Sequence, residues 1–343
     1  MSRWFYPISV VRMLVALDIS AARRLFDELP STKRNPYLHP DYVSLDAAHK
    51  GAEPYFFGGS IGDKTYLFSG HFIDSPELAI RDSESPRGYG GLLCSCNEPL
   101  ALREAYEQYR RWLAKQSCLV EFVRFHPLLA NHHGFDGDVF VNRQTCSVVL
   151  TSYHMKQLGS RALRYVKKAK KADCFTQITL TPDTLQLAAF TALYNQRMDE
   201  LDGMKQYRYR PEYFQQLFEL PIVTALVMVW HQQRLIAAAI LMGAGEYLEY
   251  HLSCSDDVGR QLGATNLLLH EASQHFSDQY RYLHLGGGLS NDQQDPLFQF
   301  KHSVGKTLTP FLIGGFIIDS ERYEKLKQSI ANPPRRIIFY RPS

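Results

Sequence analysis

Three β-rich runs follow one another at residues 222–231, 235–242 and 246–254, and the links between them are too short to hold a helix. Parallel neighbours need a long crossover, so such links force antiparallel pairing. This meander is the centre of an α/β (α+β) chain, and the remaining elements are arranged around it. Before it, residues 175–180 read as a strand and residues 182–202 and 211–218 as helices, the second with a proline in its first turn. After it come a long helical pattern at 260–276, a short apolar strand at 282–285 and a short helix carrying Lys301. A long strand at 307–318, a helix at 319–330 and an edge strand at 336–340 close the chain. The order is β-α-α-β-β-β-α-β-α-β.

The first half approximates the same order. It reads as a strand at 10–17, a helix at 20–29 capped by Ser20, and a helix at 40–48. A hairpin comes next, 54–59 with 65–71, around Gly62-Asp63. Then come the glycine-tyrosine turn Arg87 to Gly91, a helix at 98–114 striped by Leu102, Tyr106 and Tyr109, and strands at 119–125 and 138–150. The repeat is one of element order and not of residues. A chain of 343 residues exceeds one ordinary core. The reading is therefore two similar domains with a cleft between them, 1–152 and 153–319, with 320–343 packing back on the first.

Composition excludes more than it names. Hydrophobic residues are 45% and charged residues 21%, a globular balance. A net charge of +3 does not mark a general nucleic-acid binder, so DNA is not an expected partner. The six cysteines are scattered without a CxxC pair, which points away from disulfide or metal frameworks and toward a reducing, cytoplasmic compartment. No stretch is apolar enough to span a bilayer, and the run 8–19 is interrupted by Arg12 and Asp18, unlike a signal peptide.

Chemistry-bearing residues cluster late in the chain. The strand at 282–285 stops at Gly286, Gly287 and Gly288, which marks a turn or a close backbone approach. Lys301 then follows Phe298 and Phe300 on the short helix. The strand 247–253 alternates, placing Tyr247, Glu249, His251 and Ser253 on one face and Leu248, Tyr250 and Leu252 on the other. Glu249 or His251 is the candidate proton acceptor. Gly263 and Ala264, preceded by Arg260, fall in the first turn of a helix, where free N–H groups and the dipole attract phosphate. A helix over 155–172 is basic, and Arg161, Arg164, Lys168 and Lys171 share one face without a carboxylate. A phosphate-bearing partner would relieve their repulsion.

The order of elements resembles the GNAT acyltransferase fold, and the paired halves resemble the Fem family of peptidyltransferases and their GNAT-like relatives. The residues that carry this are Tyr250-His251-Leu252-Ser253, the run 262–268, Tyr282 to Gly287, Phe298 to Lys301 with Gly305, the basic helix ending RYVKKAKK, and in the first half Asn35 to Tyr42, Arg87 to Gly91 and FVRFHP at 122–127. The resemblance implies two tandem GNAT-like domains. It also implies transfer of an acyl or aminoacyl group to an amine or hydroxyl of a small-molecule or cell-envelope precursor. No resident cofactor or metal is implied. Acyl-CoA or aminoacyl-tRNA would be the co-substrate, the latter as in the Fem enzymes themselves. Lys301 stands where the family keeps its lysine. Phe300, Tyr250, Arg197, Arg210, Tyr213, Gly286 and Gly287 correspond to substrate-contact positions, and Arg260, Gly263, Ala264, Arg164 and Lys168 to the donor side. The sequence departs from the pyrophosphate signature of CoA-using enzymes, since Thr265 takes the place of its last glycine or alanine. A long coiled-coil arm found in some Fem enzymes is absent. A binding module that keeps the cleft without the chemistry is the remaining alternative.

Overall fold

The computed structural model of the protein describes residues 13–201 and 208–341. Residues 10–12 of the first expected strand lie outside the described residues. The strand that is described there is β1 (Val15–Ala16), which pairs with β2 (Glu53–Ile61). Helix α1 (Ile19–Glu28) is capped by Asp18, whose side chain accepts from Ala21 N; the capping site expected at Ser20 lies inside the helix. Helix α2 (Pro40–Lys50) has proline in its first turn and ends on Gly51 in the left-handed region. The hairpin of β2 with β3 (Lys64–Ser75) turns at Gly62 as the sequence predicts.

Two strands were not legible. Strand β4 (Ile80–Glu84) is almost wholly polar, and β5 (Leu93–Cys94) is two residues long. β4 is held by partners remote in sequence. Asp82 is buried there and accepts from the Tyr340 hydroxyl at 2.6 Å, with the Arg341 guanidinium at 3.0 Å. Those C-terminal residues form no strand, contrary to the edge strand expected at 336–340. Phe339 packs instead with Ile80, Leu119, Val120 and Tyr323 of helix α10 (Ser320–Ser329). Helix α3 (Pro99–Lys115) covers the first half of the sheet with Leu102, Tyr106, Tyr109 and Leu113.

The second half begins with a single 3-10 turn, Met155–Gln157, and the basic helix α4 (Ser160–Lys171). Strand β8 (Phe175–Thr179), helices α5 (Thr184–Glu200) and α6 (Pro211–Phe218) and the meander β9 (Val223–His231), β10 (Arg234–Ala244), β11 (Tyr247–Ser255) keep the expected order. The meander is apolar on both faces, as a strand covered by helices on both sides must be. Val227, Val229, Ala237, Ala239 and Leu241 pack with residues of α4 and with Leu267, Leu268 and Ala272. Leu226, Met228, Ala238, Ile240 and Met242 pack with Phe190 of α5 and Phe214 of α6. Each fully buried Val, Leu, Ile, Met or Phe among them contributes roughly 1.5–3 kcal/mol.

The helix expected over 260–276 is two helices, α7 (Asp257–Leu262) and α8 (Ala264–His275). They part at Gly263, which has φ +80°, and a Cβ there would lie 2.6 Å from the Tyr165 side chain of α4. The break is thus set by close packing as well as by backbone conformation. Strand β12 (Tyr282–Gly287), helix α9 (Pro296–Val304) and strand β13 (Thr307–Ile317) complete the chain before α10.

One sheet runs through both halves, in the order β1-β2-β3-β4-β6-β13-β7-β12-β11-β10-β9-β8, where β6 is Cys118–Arg124 and β7 is Asp138–Val149, and β5 pairs off this path with β3. β13 lies between β6 and β7, so the end of the chain stitches the halves together. No described helix is long and apolar enough to cross a membrane.

Candidate active site

β11 and β12 run parallel, but they pair only at Tyr247 with Tyr282, Leu248 with Leu283 and Glu249 with His284. Beyond Glu249 they diverge. On its other edge β11 carries a bulge: Tyr250 lies opposite Leu241 and Leu252 opposite Ile240, leaving His251 unmatched. The bulge inverts the alternation read from sequence. Leu248 packs with the α8 layer, whereas Leu252 packs with the α5 layer. The expectation that Tyr247, Glu249, His251 and Ser253 share one face therefore fails after His251: Ser253 meets the Tyr250 side chain, whereas His251 stays with Tyr37 and Tyr42 of the first half. An extra residue in a strand changes phase, and side-chain spacing alone does not show where it sits.

At the divergence lies a cleft of about 520 Å³. Tyr250, His251 and Ser253 line it from β11, and Pro296, Leu297, Phe300 and Lys301 from α9. Arg161 and Tyr165 of α4 and Arg197 of α5 close other sides, and Arg260, Gly263, Thr265 and Asn266 meet it at the α7–α8 break. The wall is mixed, apolar and cationic, and a cleft of this size suits a ligand with an apolar part and an anionic part.

The half-buried Lys301 donates from Nζ to the Gly287 carbonyl at 2.8 Å. That bond uses one of the three donors of the ammonium. Burial, helped by the nearby Arg143 guanidinium, pushes the Lys301 amine down to about 8. His251 is pushed down to about 3, first by burial and then by Arg87, so its imidazole is neutral at ordinary pH. The phenols of Tyr250 and Tyr37 are raised by burial and stay protonated.

Glu249 is placed differently. It is 1% exposed and does not line the cleft. Its Oε1 accepts from His126 Nε2 at 2.7 Å and from Asn35 Nδ2 at 2.8 Å, and its Oε2 from His284 Nδ1 at 2.9 Å. Burial works against its charge, but the two imidazoles prevail and hold the carboxyl well below its usual range. Burial lowers His126. We take Glu249 as ionised and His126 as neutral, because His126 Nδ1 accepts the backbone N–H groups of Leu128 and Leu129 and so leaves the ring proton on Nε2. The ligand-type atoms of His126, Glu249 and His284 lie within 4.8 Å of one another, a spacing that could hold a metal. The proton on His126 Nε2 makes that nitrogen a hydrogen-bond donor to the carboxylate and not a ligand.

The other expected residues divide between cleft and periphery. Arg260 lines the cleft but also pairs with Asp257 and donates to Ser255 O at 2.7 Å. Ala264 is buried behind the helix break and does not line the cleft. Gly286 and Gly287 end β12, where Gly287 supplies the carbonyl that Lys301 meets. Arg164 and Lys168 are exposed on α4, and Lys168 Nζ donates to Gln261 O at 2.7 Å. Arg210 precedes α6, and Tyr213 is buried, stacked on Tyr209 at 4.2 Å. Neither belongs to the cleft. The sequence reading gave no role to Asn35, Tyr37, His126, Tyr165 or His284, although four of them lie in stretches that carry the resemblance, 35–42, 122–127 and 282–287. One signal was available, since His284 is a single polar residue inside the apolar run 282–285.

Residues 159–301 match the acetyltransferase (GNAT) domain family. No curated protein sequence matches the chain. Among solved structures, FemX superposes with a TM-score of 0.72 at 11% identity, covering 92% of this chain and 100% of that one. The C-terminal domain of a protein assigned as a lysylphosphatidylglycerol synthetase in Agrobacterium fabrum gives 0.59 at 11% identity, covering 91% and 96%. A tandem GNAT protein from the clavulanic acid biosynthesis pathway gives 0.51 at 11% identity, covering 89% and 98%. At these identities the likeness is one of fold, and the fold is Fem-like GNAT, in tandem.

Proposed function

From the Fem-like GNAT fold of this chain, we propose an acyltransferase that moves an acyl or aminoacyl group from an activated donor, acyl-CoA or similar, to an amine or hydroxyl. The acceptor is a small-molecule or cell-envelope precursor. The observation that carries this reading is the divergence of β11 and β12 after Glu249 and His284, which opens a cleft beside the partly desolvated Lys301.

The anionic end of the donor lies near Arg161, Arg260 and the first turn of α8, and its acyl carbonyl lies by the β11 bulge. The acceptor nitrogen or oxygen attacks the acyl carbon. The oxyanion that forms collapses, the bond to the donor sulfur or oxygen breaks, and the acceptor proton ends on that leaving atom. The Lys301 ammonium faces charge that grows only in the transition state. Residues 1–152 and 153–319 act as the two domains, and the packing of α10 and Phe339 on β4 and β6 supports the return of 320–343 to the first. A cytoplasmic setting belongs to the same reading, because the six cysteines are scattered in sequence without a CxxC pair.

A second reading rests on α4. Arg164, Lys167 and Lys171 are exposed and continue the cationic surface from Arg161 at the cleft. Such a strip suits a polyanionic carrier and so an aminoacyl-tRNA donor. Thermal melts with acetyl-CoA, longer acyl-CoAs and aminoacyl-tRNA separate the two. A donor at 100 times its Kd adds about 2.7 kcal/mol of apparent stability. Stabilisation by acyl-CoA supports the first reading, and stabilisation by tRNA alone supports the second. Absence of any stabilisation overturns both. Binding without turnover leaves a module that has lost its chemistry.

A further inference from the structure

His251 lines the cleft, yet its two ring nitrogens are treated unequally. Nδ1 lies 3.1 Å from the hydroxyl of Tyr37, a residue of the 3-10 turn Pro36–Leu38 in the first half of the chain. Nε2 is buried and has no protein partner. Tyr37 is 6% exposed, and its backbone N–H is fixed by the Asn35 side chain at 3.0 Å. Gly88, in the turn Arg87 to Gly91, lies against its ring. A Cβ on Gly88, which has φ +92°, would come within 2.6 Å of that ring, so only glycine allows the approach. Tyr42 packs edge-on to His251 at 5.9 Å between ring centres.

The placement of protons comes from counting buried groups. If His251 donated from Nδ1, the Tyr37 hydroxyl proton and the Nε2 lone pair would both be left without partners. If Tyr37 donates to Nδ1, only the Nε2–H remains unpaired, and it belongs to a ring on the cleft wall. A lone buried donor costs less than an orphaned donor and acceptor together. The charged groups around the ring are Arg87, Asp46 and Glu249, and burial with Arg87 keeps it from taking a second proton.

We propose that His251 is a neutral N–H donor at the cleft, with its proton on Nε2, and that Tyr37 is the positioning residue that fixes this tautomer. His251 then does not accept the proton of the acceptor substrate. On the acyl-transfer reading, a donor in the cleft takes up that unpaired N–H through its acyl oxygen, and the N–H then shares the developing negative charge with Lys301. A neutral imidazole is suited to this work, since it polarises a carbonyl without itself carrying charge. The assignment makes the first half of the chain part of the reaction centre through one phenol.

The tautomer is measurable without substrate. In ring-¹⁵N-histidine protein, signals lost in His251→Asn belong to His251. The expected wild-type spectrum at neutral pH shows Nδ1 unprotonated and Nε2 protonated. The expected Tyr37→Phe spectrum shows a mixture of tautomers. A proton on Nδ1 in the wild type, an imidazolium, or tautomers unaffected by Tyr37→Phe would overturn the proposal. The wild-type spectrum decides the tautomer even if Tyr37→Phe does not fold. A kinetic arm rests on the acyl-transfer reading. His251→Ala should lower kcat on the order of 10²–10³ with little change in KM, and His251→Gln, whose amide N–H reaches the place of Nε2–H, should recover most of it. A general base requires the opposite, with Gln as inactive as Ala. Absence of turnover with every donor overturns the acyl-transfer reading, and the spectrum still judges the tautomer.

Discussion

Glu249 and Lys301 both leave water near the divergence of β11 and β12, and they end in different states. The carboxylate is enclosed and accepts three side-chain hydrogen bonds, two from the first half of the chain and one from β12. The ammonium has one hydrogen bond, to Gly287 O, and stands on the wall of an open cleft. A buried charge with both oxygens engaged lowers the energy of one arrangement of the halves. A charge with donors to spare is available to something that arrives later. Burial alone does not distinguish the two roles; the count of remaining partners does.

The sharpest way to break this contrast is to remove the enclosed charge. Glu249→Ala leaves His126, Asn35 and His284 facing one another without an acceptor, and breaking such a buried pair costs about 3–5 kcal/mol. Urea unfolding should show that loss, and an effect confined to turnover would reverse the roles assigned here. The pH dependence has the same sign. The folded-state pKa of Glu249 is depressed, so its stability is present above the unfolded value of about 4.3 and is lost as pH falls below it. Glu249→Gln should flatten that acid limb.

Removing the open charge should do the reverse. Lys301→Met is expected to melt near wild type and still bind donor, while kcat falls on the order of 10²–10³. The methionine keeps the packing beside Phe300, so shape and charge are separated. Single-turnover rates and a donor titration check this. Full activity would remove Lys301 from the reaction, and a collapse in stability would make it a packing residue.

A smaller effect sharpens the assignment. Lys301 loses its proton at about 8, so a charge-stabilising role gives a kcat that declines above that pH. A role as proton acceptor gives a kcat that rises through the same point. The limb should vanish from the residual rate of Lys301→Met. Weakest of all is the outer face of α4. Reversing Arg164 and Lys171 to Glu should weaken donor binding several-fold at low salt and little at high salt, because exposed charges are screened. Equal affinity in both salts would leave α4 a solvated face.

The meander, α6 with its leading proline and the short lysine helix were legible because their signals are local: short links, a proline, a period of apolar residues. Strand β4 was not, since its residues are polar, and Asp82 among them is buried against Tyr340 and Arg341, which come from more than 250 residues away. Lys301 and His251 could be picked out as types of residue in a glycine- and aromatic-rich setting. Their partners could not, because Gly287 O and the Tyr37 hydroxyl are supplied by folding.

The sequence by itself determined most of the order of elements and the antiparallel centre, since chain connectivity and apolar periodicity act over a few residues at a time, and it is that order that resembles the GNAT fold. Only the tertiary structure decided which face each residue of β11 takes, because a one-residue bulge at His251 inverts the alternation after it. It also decided that Glu249 sits in a closed node and Lys301 on an open wall. Pairings between groups as distant as Asn35 and Glu249 carry no local signal, and their energies depend on the water that both halves exclude together.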